Sequence, residues 1–133
     1  MNILAFMIPK VEVIHLCIDD TGRQAIEVMK KNRFTSIPVL DKYGKYIGTI
    51  TEGDLLYTLD EVGRDEMKNI KVSSIKRHRD YEAVNINETM VILLSRASNE
   101  NFVPVIDESN QFLGIVTRKE LLDYFFEHNF MVL

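Results

Sequence analysis

The chain has 133 residues, 46% of them hydrophobic and 27% charged, with a formal net charge of −4 and one cysteine. These values describe a globular chain and exclude disorder, a disulfide framework and a multi-cysteine zinc site. The acidic balance argues against nucleic-acid binding by bulk electrostatics.

The chain opens on its longest apolar run, Ile3-Leu4-Ala5-Phe6-Met7-Ile8. That run is far short of the ~20 residues that span a bilayer, and it has neither a basic lead nor a small-residue cleavage site. No membrane span is expected, and a cytoplasmic location follows by default. A short strand is predicted at Val13–Cys17, with Cys17 in the core. Asp20 or Thr21 opens a helix, Gln24 completes a capping box, and Ala25, Ile26 and Met29 form its apolar stripe. Ile37–Leu40 reads as a strand, Asp41-Lys42-Tyr43-Gly44 as a turn, and Tyr46–Ile50 as the returning strand. A second helix starts near Thr51. The stretch from Asp60 to Asp80 is a connection, tied down by Met67, Ile70, Val72 and Ile75. It carries a basic cluster, Lys71, Lys76, Arg77, His78 and Arg79, which reads either as a solvated loop or as an anion-binding edge.

Beyond the connection the order repeats. A strand at Ala83–Asn85 leads to a helix with Val91, Ile92, Leu93, Leu94 and Ala97 on its apolar side. The strand Val103–Ile106, the turn Asp107–Asn110, the strand Phe112–Val116 and a helix near Thr117 follow. Ser36-Ile37-Pro38-Val39-Leu40-Asp41 aligns with Phe102-Val103-Pro104-Val105-Ile106-Asp107. Without a gap, Ile47–Leu56 then falls on Leu113–Leu122. The chain is therefore two copies of one β-α-β-β-α unit of about 50 residues, too small to bury both faces of its own sheet. The expected fold is α/β: two units packed sheet to sheet about a pseudo-two-fold axis. The boundaries drawn are 1–60 for the first unit with its N-terminal segment, 61–80 for a linker and 81–133 for the second unit with its tail.

One motif occurs in both copies: Gly48-x-x-Thr51-x-x-Asp54 and Gly114-x-x-Thr117-x-x-Glu120. It falls at a strand-to-helix turn, where unpaired N–H groups and the helix dipole favour phosphate. A threonine hydroxyl there can donate to a phosphate oxygen, and an acid one turn later can accept from ribose hydroxyls. Glycine removes a side chain where a ligand would approach the backbone. The same Thr-x-x-acid pattern is also a capping box that needs no ligand. Arg118 and Lys119 add two cations at the second helix start, where the first copy has Glu52 and Gly53. The three histidines, His15, His78 and His128, have no metal-ligand spacing, and Ser95 and Ser98 have no nearby base. No catalytic residue, metal or catalytic cofactor is expected.

A strand ending Pro-Val-x-Asp, a turn, then aliphatic-Gly-x-aliphatic-Thr-x-x-acid, in two copies, resembles the cystathionine-β-synthase (CBS) domain family. A tandem pair of these is a Bateman module, and the likeness covers about residues 11–126. It is similar to the stand-alone class of such pairs. The resemblance implies a non-catalytic regulatory module. Its ligand is an adenine nucleotide (AMP, ADP or ATP; less often S-adenosylmethionine or cyclic di-AMP), held in a cleft between the two units. By carry-over, Thr51 contacts phosphate and Asp54 binds ribose in one site, with Thr117 and Glu120 at the matching positions of the other. Glu120 departs from the commoner Asp, so the Thr51/Asp54 site ranks first for ribose. The base is expected against His15, Leu16, Ser36, Ile37 and Pro38 in one copy and Ala83, Val84, Phe102, Val103 and Pro104 in the other. The resemblance also implies a homodimer built from the second helices. Those carry Leu55, Leu56, Tyr57 and Leu59 in one copy and Leu121, Leu122, Tyr124 and Phe125 in the other, with Phe126, Phe130 and Met131 beyond. The protein partner that would receive the signal is unknown. A ligand-free interaction scaffold is the competing reading.

Overall fold

A computed structural model describes residues 2–128 of the chain. In chain order the elements are β1 (Ile8–Pro9), β2 (Leu16–Cys17), α1 (Gly22–Asn32), β3 (Ser36–Leu40), β4 (Tyr46–Thr51) and α2 (Glu52–Val62), then β5 (Val84–Asn85), α3 (Met90–Ala97), β6 (Phe102–Ile106), β7 (Phe112–Thr117) and α4 (Arg118–Glu127). They form two compact units. The first is Ile14–Asp80; the second combines Met1–Val13 with Tyr81–Leu133.

The first unit has the sheet β2-β3-β4, with β2 parallel and β4 antiparallel to β3. The second has β1-β7-β6-β5, in which β5, β6 and β7 repeat that arrangement and β1 adds an antiparallel edge. Both hairpins shift register at the same place, Val39/Leu40 and Val105/Ile106. Both turns close the same way. Asp41 Oδ1 accepts from the amides of Tyr43 and Lys45 at 2.8 and 2.9 Å, and Asp107 Oδ1 from those of Ser109 and Gln111 at 2.9 and 3.0 Å. The aspartate side chain thus supplies the acceptors that a tight turn leaves its amides without.

The helices cap as their sequences dictate. Thr21 Oγ1 accepts from Gln24 N at 3.1 Å, and Gln24 Oε1 accepts from Thr21 N at 2.8 Å. Leu16, Ala25, Met29, Ile37, Val39, Ile50 and Leu55 then form the first core. Met67, Val72 and Ile75 join it, so the stretch after α2 is part of the first unit rather than a separate linker. The second core gathers Val84, Leu93, Ala97, Val103, Val105, Val116 and Leu121. Ile3 and Phe6 complete it, so the N-terminal segment belongs to the unit of the second copy.

Further expectations change. β2 is only Leu16–Cys17, and its alternation turns Leu16 inward and leaves Cys17, expected in the core, exposed. The corresponding strand of the second copy, β5, begins at Val84 rather than Ala83. In α3 the helical period buries Leu93 and Ala97 but turns Val91 and Leu94 out, at 75% and 38% exposure. Phe130 and Met131 lie outside the described residues. No helix among the described residues is long and apolar enough to cross a membrane.

Candidate functional site

The repeated motif sits where β4 runs into α2 and β7 into α4. In the first unit it is closed. Thr51 Oγ1 accepts from Asp54 N at 3.2 Å, and Asp54 Oδ2 accepts from Thr51 N at 3.0 Å, a reciprocal capping box. The other carboxylate oxygen, Oδ1, accepts from His78 N at 2.9 Å. Asp54 is 5% exposed, so both oxygens are engaged and covered.

A few residues further, Asp80 Oδ1 accepts from Thr49 N at 3.0 Å and from Arg77 Nε at 2.7 Å. Arg77 Nη2 reaches Asp80 Oδ2 at 3.3 Å. A Cβ on Gly48 would land on this Asp80 carboxylate and beside Arg77 Nε. Residues 77–80 thus form a strap across the end of β4 and the start of α2. Nothing in the sequence motif foretells it, because His78 contributes only its amide. Gly48 makes room for this strap.

The second copy is open. Thr117 Oγ1 accepts from Glu120 N at 3.0 Å, but the Glu120 carboxylate does not return to the Thr117 amide and stays exposed. Side-chain length alone does not separate the copies, since the equally long Gln24 closes the same box on Thr21; in the first copy the His78 amide also holds the Asp54 carboxylate. Arg118 anchors its Nε on Ala97 O at 2.9 Å, which leaves its terminal nitrogens for another acceptor. Lys119 Nζ lies 2.6 Å from Asp123 Oδ2, and that carboxylate, more than Glu120, holds the Lys119 ammonium above the usual lysine range. Gly114 is filled in its own way: a Cβ there would strike Ile8 O, because β1 runs beside β7 with Pro9 opposite Gly114. In both copies, then, the glycine expected to admit a ligand admits a segment of the chain itself.

The helix starts offer less than a free helix end. Glu52 N donates to Thr35 O and Arg118 N to Asn101 O, both at 3.0 Å, and the threonines take the amides of Asp54 and Glu120. In each first turn the second amide, of Gly53 or Lys119, is left for an anion. Thr51 and Thr117 are half-buried, and each hydroxyl accepts one bond and keeps its proton to donate.

The residues expected to face a base divide by burial. Ile37 and Val103 are fully buried, Ser36, Pro38, Phe102 and Pro104 are buried, and His15 and Ala83 are half-buried. The Phe102 ring packs on Tyr81, with centroids 4.9 Å apart. His15 lines a recess of about 470 Å³ beside Asp20, Gln24 and Lys31 of the α1 side. In the basic cluster, Lys71 meets Asp19 at 3.4 Å and Arg77 meets Asp80. His128 stacks on Tyr124, with centroids 4.0 Å apart. Among the described residues no three His, Cys, Asp or Glu side chains gather around a point where a metal ion could sit.

Known proteins place this architecture. The chain is 27% identical to cyclic di-AMP receptor B of Bacillus subtilis over 126 residues, covering 92% of this chain and 85% of that protein. It is 25% identical to a CBS domain-containing protein of Dictyostelium discoideum, covering 92% and 91%. It matches an inosine-5'-monophosphate dehydrogenase of Methanocaldococcus jannaschii at 26% identity but spans only 21% of that enzyme's length. Among solved structures, CbpB in complex with c-di-AMP superposes with a TM-score of 0.87 at 24% identity, over 98% of this chain and 89% of that one. Listeria monocytogenes CbpB in complex with c-di-AMP gives 0.83 at 23%, over 94% and 95%. At these identities the superpositions establish the fold. The CBS domain model matches residues 5–61 and 72–127, and the chain belongs to the CBS domain family, with two copies in tandem.

Proposed function

We propose that the chain is a non-catalytic receptor for cyclic di-AMP that passes its bound state to a protein partner. The observation that carries this reading is the likeness to the Bacillus subtilis cyclic di-AMP receptor B, which runs through nearly the full length of both chains. It favours the cyclic dinucleotide over AMP, ADP, ATP or S-adenosylmethionine, whose shared adenosine the same residues would also meet. A cytoplasmic location and a homodimer go with this reading.

The chemistry of the two motif copies supports it. A cyclic 3′,5′-dinucleotide carries two phosphodiesters and leaves one hydroxyl on each ribose. At the second unit, the Thr117 hydroxyl, the Lys119 amide, and the Arg118 and Lys119 side chains are donors for a phosphodiester. The exposed Glu120 carboxylate is an acceptor for the ribose 2′-hydroxyl. Ala83, Phe102, Val103 and Pro104 would meet adenine, the buried Val103 through its backbone. At the first unit, Thr51 and Asp54 would take the same roles, with His15, Ser36, Ile37 and Pro38 at the base. There the strap of residues 77–80 already uses Asp54, so the second unit's turn is the stronger candidate. This reverses the ranking drawn from the rarer glutamate. The test is calorimetric titration of nucleotide-free protein with cyclic di-AMP, AMP, ADP, ATP, S-adenosylmethionine and GTP. Saturable binding of cyclic di-AMP, at least tenfold tighter than of any mononucleotide, is expected. Tighter binding of a mononucleotide, or none of any, would overturn the reading.

A further inference from the structure

We propose that residues 77–80 are a latch: they occupy the first unit's motif themselves, and the turn of Thr51 and Asp54 takes a nucleotide only when they lift. The inference rests on the reading that the motif turns bind cyclic di-AMP, and it adds a control on one of the two. The latch and the groups it holds all lie within the first unit, Ile14–Asp80.

The two copies cover one position in different ways. Thr49 of β4 and Ile115 of β7 are equivalent in the repeat, and each stands opposite a proline of the neighbouring strand, Pro38 or Pro104. Opposed residues of an antiparallel pair exchange both hydrogen bonds or neither, and proline has no N–H to exchange. The amides of Thr49 and Ile115 therefore point away from that strand, toward the far edge of the sheet. In the second unit a strand covers this edge: Ile8 of β1 lies opposite Ile115, and Pro9 opposite Gly114. The segment that carries β1 is pinned by Ile3 and Phe6 in the core. In the first unit the cover is a side chain, with Asp80 Oδ1 accepting from Thr49 N at 3.0 Å.

This second kind of cover is polar. Ile75 is buried before it and Tyr81 after it, but Lys76, His78, Arg79 and Asp80 are exposed and Arg77 is half-buried. No apolar residue lies between the two anchors. The segment is tied to the motif by Asp80 on Thr49 and by His78 N on Asp54 Oδ1 at 2.9 Å. Arg77 stiffens it by gripping the Asp80 carboxylate at 2.7 and 3.3 Å. Segments with few buried apolar contacts are the ones that open locally while the rest of the fold stays intact.

A closed latch and a bound ribose exclude each other. Asp54 Oδ2 is held by the Thr51 amide and Oδ1 by the His78 amide, and the carboxylate is covered. A ribose hydroxyl reaches Oδ1 only after the His78 amide has left it. The affinity of the first turn is then its intrinsic affinity reduced by the fraction of molecules whose latch is open. The exposed Glu120 of the second turn carries no such cover. The second turn thus responds at low ligand and the first at higher, and one chain reads two concentration ranges.

The experiment pairs amide hydrogen exchange with calorimetric titration by cyclic di-AMP, both on the nucleotide-free chain. Without ligand, Asp80→Ala should speed exchange of the Thr49 and His78 amides at least tenfold. With ligand, the wild type should show a stronger and a weaker equivalent per chain. Asp80→Ala should strengthen the weaker one at least tenfold and leave the stronger within about twofold. Asp54→Asn added to Asp80→Ala should remove the gain. Arg77→Ala keeps the acceptor for Thr49 N and should move both readouts the same way by less. It carries the test if circular dichroism melts show that Asp80→Ala does not fold. Exchange unchanged in both variants, or faster exchange with an unchanged weaker site, would overturn the latch while leaving the receptor reading standing. No binding of cyclic di-AMP by the wild type or any variant would overturn the receptor reading, and the latch with it.

Discussion

Asp54 and Glu120 hold one position in the repeat and meet different physical fates. Asp54 has both oxygens bound, to the amides of Thr51 and His78, and is covered. Asparagine there keeps one acceptor for two donors, so one buried amide loses its partner. Asp54→Asn should therefore cost about 1–3 kcal/mol, read as a lower midpoint in urea. Glu120 is exposed, and only its backbone amide is held. Glu120→Gln should leave stability within about 0.5 kcal/mol while lowering cyclic di-AMP affinity roughly tenfold, the loss of one charge-assisted hydrogen bond. A stable Asp54→Asn together with an unstable Glu120→Gln would invert the account. The Thr-x-x-acid spacing was readable in the sequence at both copies. The engaged state of one acid and the open state of the other were not, because His78 contributes a backbone amide, which any residue but proline provides.

At the scale of elements, what the sequence made legible was local. The capping threonines Thr21, Thr51 and Thr117 and the aspartate turns at Asp41 and Asp107 depend on residues at most a few positions apart, and both hairpins on strands that adjoin in sequence. Hidden features depend on contacts far along the chain: the strap of residues 77–80 on β4, and β1 added beside β7. The boundary at 1–60 grouped the N-terminal segment with the copy it precedes, whereas Ile3 and Phe6 fill the core of the other. Two substitutions probe these contacts. Gly48→Ala sets a methyl group on the Asp80 carboxylate and should displace the strap, costing about 1–3 kcal/mol and exposing the His78 amide to hydrogen exchange. Unchanged exchange at His78 would mean the strap does not depend on Gly48. Phe6 is buried and packs edge-on against Tyr124, with centroids 4.7 Å apart. Phe6→Ala should cost about 3–5 kcal/mol, and the amides of β6 and β7 should lose protection before those of β3 and β4. The reverse order would assign the N-terminal segment to the first unit.

For the whole molecule, the tandem repeat and the CBS likeness were readable because duplication printed the same motif twice. The ligand was not, since AMP, ATP and cyclic di-AMP share the adenosine and the phosphate to which the motif is suited. Choosing among them rests on the likeness to the Bacillus subtilis cyclic di-AMP receptor B, with the open turn of the second unit in support. The most direct test is titration calorimetry of the nucleotide-free chain with cyclic di-AMP, run beside Glu120→Gln and Asp54→Asn. The account predicts saturable binding to the wild type and about tenfold weaker binding to Glu120→Gln. Asp54→Asn, once its lower stability is allowed for, should fall by less. Binding that survives Glu120→Gln unchanged but disappears with Asp54→Asn would place the ligand at the strapped site and contradict the account.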